Sequence, residues 1–167
     1  MPKSHPKEKV TKRKVPEILK IFGFVILCLV IGVIGGLFTK TGPGAWYSNL
    51  HKPSFNPPNW IFGPVWTVLY ILMGIALYFA VKNKVGSKAI KIFAIQLLLN
   101  LLWSVLFFGL NNTLLASIEV IILLGFIFWT IKAFYDKSKV SSYLLIPYAL
   151  WSSFATILTL AIFVLNL

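Results

Sequence analysis

The chain is predicted to be an all-α integral membrane protein, a bundle of five transmembrane helices. Three observations predict this. Composition is the first: of 167 residues, 58% are apolar and only 12% charged, whereas soluble domains run at about 45–50% apolar and about 25% charged. The second is the arrangement of those residues in apolar runs at Ile21–Phe38, Ile61–Val81, Ile92–Leu110, Thr113–Ile131 and Ser142–Leu165. About 20 helical residues cross a hydrocarbon layer of about 30 Å. The third is the placing of the basic residues, which fall between the runs and not within them.

Helix is the state these runs must adopt. Hydrocarbon supplies no water to backbone N–H and C=O groups, so a lone span has to pair them internally. A β-barrel would show short alternating segments, and none is present. The first run is too long for a signal-peptide core and no Ala-x-Ala follows it, so it is expected to be retained. Residues 1–20 form a basic tail and residues 21–167 the membrane domain. The third and fourth runs are joined only by Asn111-Asn112, and residues 82–91 and 132–141 are short and basic. Residues 39–60 make the longest link. Its prolines and its aromatics Trp46, Tyr47, Phe55 and Trp60 suggest a packed loop.

The net charge of +12 would by itself suggest a nucleic-acid partner. Position argues against that: seven Lys/Arg lie in the tail, four in 82–91 and three in 132–141, against two in 39–60 and none in the other links. This is the positive-inside pattern of a multi-pass protein of the cell membrane, with a cytoplasmic N-terminus and an outer C-terminus. The tail is either the partner-binding surface of a sensor or a contact for anionic lipid, and the second is expected. Cys28 is the one cysteine, and His5 and His51 are far apart, so neither a disulfide nor a metal site is expected, and no cofactor is called for.

Inside the runs, a few residues could carry chemistry. Glu119 is the only acid deep in a span. It is either a functional group or a carboxyl kept neutral or hydrogen-bonded to a neighbouring helix. Asn100, Trp103, Ser104 and Phe107 follow i, i+3, i+4, i+7 spacing and share one helical face, with Gln96 a turn earlier. Either they glue helices together or they line a site. Trp66 and Trp151 lie within their spans, with Pro64 and Pro147 just upstream, and suit pocket walls, whereas Trp60 fits the interfacial belt. Gly32-x-x-x-Gly36 is a candidate close-packing pair. No nucleophile–base set, paired carboxylates or phosphate loop is present.

The segments Trp46-Tyr47-Ser48-Asn49-Leu50-His51-Lys52-Pro53-Ser54-Phe55-Asn56-Pro57-Pro58, Phe62-Gly63-Pro64-Val65-Trp66, Leu99-Asn100-x-x-Trp103-Ser104 with Phe107-Phe108-Gly109, and Pro147-Tyr148-x-x-Trp151-x-x-Phe154-Ala155 resemble the signatures of the TspO/MBR family, the tryptophan-rich sensory proteins related to the translocator protein. The match runs from about residue 46 onward and leaves out the tail. The resemblance implies a five-helix bundle whose pocket opens toward the first loop and takes tetrapyrroles of the protoporphyrin IX class or other apolar aromatic ligands. It implies a pocket lined by Tyr47, Pro57, Phe62, Trp66, Tyr70, Asn100, Trp103, Ser104, Phe107, Trp151 and Ala155. It also implies a homodimer, although no small-x-x-x-small pair on the third span marks an interface. Some members are described as degrading protoporphyrin in light, a role that would here fall to Trp66 and Trp151; transport of porphyrin intermediates is the rival reading.

Two departures stand out. Phe55 replaces a usual Trp, and Thr159 stands where the family usually has Asn. The sterol-contact motif of animal relatives is missing, which argues against sterol as the ligand. Lys40 and Lys52, the only outer cations, are expected to meet ligand carboxylates. A reporter fused at the C-terminus should be active only on the outer side of the membrane; cytoplasmic activity would reverse the topology.

Overall fold

A computed structural model describes residues 16–167, and the greater part of the basic tail lies outside the described residues. It contains five spans long and apolar enough to cross a bilayer. Helix α1 runs Glu17–Phe38, α2 Asn59–Lys82, α3 Ser87–Ser104, α4 Thr113–Tyr135, α5 Lys139–Leu144 and α6 Ile146–Leu165. No strand occurs among the described residues. Helix α1 begins four residues before the expected start of the first span, so the polar residues Glu17 and Lys20 are already helical.

Two spans differ from unbroken helix. The third ends in a π turn over Val105–Gly109, where the Leu110 N–H reaches back to the Val105 carbonyl at 2.8 Å. Such wider turns re-aim side chains and are frequent at functional sites; this one carries Phe107 and Phe108. The fifth span breaks at Leu145, between α5 and α6. Pro147 has no N–H to give to the preceding turn, so an unbroken helix there would leave a carbonyl unpaired. Serines hold α5 instead. Ser141 Oγ donates to the Ala76 carbonyl on α2 at 2.8 Å, and Ser142 Oγ to the Ile131 carbonyl on α4 at 2.8 Å. The tight Asn111-Asn112 turn works because Asn111 takes a left-handed conformation (φ 52°). Asn112 Oδ1 then caps α4 by accepting from the Leu115 N–H at 2.9 Å.

The spans close into a ring in the order α2, α1, α3, α4, α6. At one end Glu17 and Lys82 pair at 2.6 Å, and Asn83 Nδ2 donates to Ser138 Oγ at 2.9 Å, joining two of the basic links. At the other end lie the 39–58 loop and the end of α6. The Asn166 side chain accepts from the His51 N–H and donates to the His51 carbonyl, both at 2.9 Å. The described lysines therefore divide as the sequence has them, with Lys40 and Lys52 at the loop end.

Helices α1 and α2 meet most closely at Gly74. A Cβ there would stand 2.5 Å from Val25 Cα and 2.8 Å from the Phe24 carbonyl oxygen. The partner is backbone and cannot swing aside. Of the Gly32-x-x-x-Gly36 pair, Gly32 packs within the monomer on the Tyr70 ring, while a Cβ at Gly36 would meet nothing within 4 Å; Gly35 faces Ser104. Gly74→Ala should destabilise the protein by about 1–3 kcal/mol, the usual cost of overpacking. Gly23→Ala, with open space around it, should be neutral or stabilising. Thermal unfolding in detergent measures both.

Candidate functional site

A cavity of about 300 Å³ lies inside the loop-end half of the ring, walled by α1, α2, α3, α4 and α6 and roofed by the loop. Helix α2 supplies Phe62, Trp66 and Tyr70, spaced four residues apart and so stacked on one face. Helix α3 supplies Asn100, Trp103 and Ser104, and the π turn adds Phe107 and Phe108. Helix α6 supplies Trp151 and Ala155, and the loop supplies Tyr47. Of the residues expected to line a pocket, Pro57 alone does not touch this cavity.

Sequence reading missed the opposite wall. Gly32, Gly35 and Gly36 of α1 with Thr39 just beyond it, Val120 and Leu123 of α4, and Ser152 and Thr159 of α6 also face the space. Small and aliphatic residues give no chemical signal; a glycine becomes legible as wall only once its neighbour is known.

Aromatic contacts build the walls. Trp66 lies 5.7 Å from Tyr70 and 6.2 Å from Tyr148, while Phe62 meets Trp151 edge-on at 6.0 Å. Trp103 stacks on Phe107 at 5.1 Å with ring planes 16° apart. Phe107 in turn takes the edge of Trp46 at 5.5 Å. Such pairs contribute about 0.5–1.5 kcal/mol each beyond their burial. Tyr47 is only 3% exposed and its hydroxyl donates to Asn56 Oδ1 at 2.9 Å. Burial pushes that hydroxyl above the usual tyrosine range, so it remains a donor. Phe55 and Trp60 stay largely exposed, Trp60 at 73%, as the belt reading of Trp60 expects.

The polar groups divide sharply. Asn100 is fully engaged across three helices: Tyr70 Oη donates to its Oδ1, and its Nδ2 donates to Tyr148 Oη at 3.1 Å. It glues helices and lines the cavity at once. In contrast, the Trp103 and Trp151 indole N–H groups and Ser152 Oγ are buried with no protein partner. Three donors on cavity-lining residues thus lack an acceptor, a costly arrangement that a ligand with acceptor atoms would relieve. The cavity wall holds no charged side chain. Lys52 sits outside it, over the Tyr47 ring at 4.7 Å, donating to the Ser48 and Leu50 carbonyls at 3.3 and 3.1 Å. Lys40 edges a separate groove beside Leu37 and Leu110. Glu119 is buried, with both oxygens unpaired in the protein, and is not part of the cavity wall; the hydrogen bond to a neighbouring helix weighed from sequence is not formed. Gln96 is also buried, with both amide atoms unpaired. Among the described residues no group of His, Cys, Asp and Glu is placed to hold a metal.

The chain is thus a multi-pass helical membrane protein with an uncharged, tryptophan-walled chamber under a packed loop. The model of the TspO/MBR family matches residues 24–165, reaching into α1 where the sequence resemblance began only near residue 46. The chain is 45% identical over 152 residues to the tryptophan-rich protein TspO of Archaeoglobus fulgidus, covering 90% of this chain and 99% of the relative. It is 34% identical to the tryptophan-rich sensory protein of Cereibacter sphaeroides, covering 80% of this chain and 82% of the relative. It is 33% identical to the human translocator protein, covering 86% and 88%. The chain belongs to the TspO/MBR family.

Asn100→Ala should cost more stability than Tyr70→Phe, because it strands two buried hydroxyls where the tyrosine change strands one carbonyl oxygen; each stranded group costs about 1–3 kcal/mol. The two changes should also be strongly non-additive in a double-mutant cycle followed by thermal unfolding.

Proposed function

We propose that this protein is a membrane receptor that binds planar, largely apolar, acceptor-bearing ligands of the tetrapyrrole class in the chamber between its helices. The observation that carries this reading is the pairing of aromatic walls with the unpartnered Trp103 and Trp151 N–H donors and Ser152 hydroxyl. A tetrapyrrole brings broad π faces and ring nitrogens that can accept. Its carboxylates would be costly inside an uncharged wall, so they belong at the loop end, near Lys52. The Lys52 ammonium has three N–H donors and uses two on backbone carbonyls, which leaves one for a carboxylate. The volume is at the small end for ligand pockets, which span about 300–1,000 Å³, so a whole macrocycle needs the loop or a neighbouring helix to give. The names of the relatives, sensory protein and translocator protein, fit a receptor of this kind.

The reading also includes a cell-membrane location with the Glu17–Lys82 end cytoplasmic, and a membrane domain that follows the basic tail. Lysine placement supports that sidedness. Protoporphyrin IX titrated into the purified protein should quench tryptophan fluorescence saturably. Trp151→Phe, which deletes one donor and keeps an aromatic ring, should weaken binding about tenfold, equivalent to about 1.4 kcal/mol. Unchanged affinity in a Trp66→Phe, Trp151→Phe double variant would remove these walls from the site.

A further inference from the structure

The chamber has two conceivable routes in: through the loop, from water, or through its side wall, from the bilayer. The loop is fastened. Tyr47 is buried and bonded to Asn56, Trp46 closes on Phe107, and Asn166 holds His51 through two backbone bonds. The seam between α2 and α6 is also closed: the Phe62–Trp151 and Trp66–Tyr148 ring pairs fill the space.

The seam between α1 and α2 is different. Its inner part is in backbone contact at Gly74 and Val25, and one turn outward Tyr70 packs on Gly32. Beyond that point Val33 and Gly36 of α1 and Gly63 and Thr67 of α2 all line the chamber, yet all four are exposed, Val33 at 65%. A residue that faces both a cavity and the exterior stands at an opening. Side chains built on Gly36 and Gly63 would meet nothing within 4 Å. The two helices therefore part above Tyr70, and the residues at the gap are too small to fill it.

We infer that this gap is a lateral portal through which apolar ligands pass between bilayer and chamber. The portal lies within about 3–12 Å of the helix ends, taking about 1.5 Å per residue, a depth at the boundary of headgroups and acyl chains. A ligand with a flat apolar body and charged edge groups already rests at that depth. It would slide in body first while its carboxylates stayed among the headgroups, and the buried donors would await it inside. The tetrapyrrole part of this picture rests on the function proposed above; the portal does not.

The test is kinetic, in lipid nanodiscs, with protoporphyrin IX and separately with pyrene, a neutral aromatic that accepts tryptophan excitation. Gly36→Phe and Gly63→Phe fill the gap. Each should slow both association and dissociation, by about tenfold for a barrier raised by about 1.4 kcal/mol. A variant that merely spoiled the site would speed dissociation, so the paired slowing marks a portal, and thermal unfolding shows that each variant is folded. In the other arm, a His51→Cys, Asn166→Cys disulfide locks the loop and should leave both rates within about twofold of the reduced protein. Rates unaffected by the phenylalanines, or slowed by the locked loop, overturn the inference. Pyrene kinetics that respond to Gly36→Phe in a protein that ignores protoporphyrin IX would retire the tetrapyrrole reading and keep the portal.

Discussion

Hydrocarbon offers a polypeptide no hydrogen-bond partner, and the rest of this structure follows from that constraint. Each span must spend its backbone donors and acceptors on itself. What remains for holding the bundle together is side-chain fit and the few polar groups that can find one another across helices. Where a backbone break is forced, polar side chains gather: Pro147 interrupts the last span, and Ser141 and Ser142 fasten the short helix before it to carbonyls on two neighbours.

The same rule separates the polar residues of the interior into two kinds. Asn100 is satisfied, tying α2 and α6 to α3 through two tyrosine hydroxyls. It forms the rigid floor on which the chamber stands. The indoles of Trp103 and Trp151 and the hydroxyl of Ser152 are unsatisfied. Folding alone would not favour leaving three buried donors without acceptors. All three belong to residues that line the chamber, so the cost falls where the proposed ligand would supply acceptors.

The five spans were legible because length, apolarity and charge placement are one-dimensional signals. The aromatic walls were legible because large residues at helical spacing inside a span have few other uses, and the family resemblance named most of them. Pro57 was carried over by resemblance and lies off the cavity wall. The α1 wall was invisible because Gly35 and Gly36 differ only in what faces them, Ser104 or nothing. The π turn and the break at Leu145 escaped as well: both preserve an apolar run while changing its hydrogen bonding. Glu119 was singled out correctly as buried, and its surroundings offer no protein partner.

The bond between Asn166 and His51 joins positions 115 residues apart. The clasp on the 39–58 loop therefore cannot form until α2 to α6, which lie between the two positions, have been made. Until then that proline-rich segment lacks its two bonds to Asn166. Closure of the roof thus reports the arrival of α6, and protease resistance of residues 39–58 would time that step.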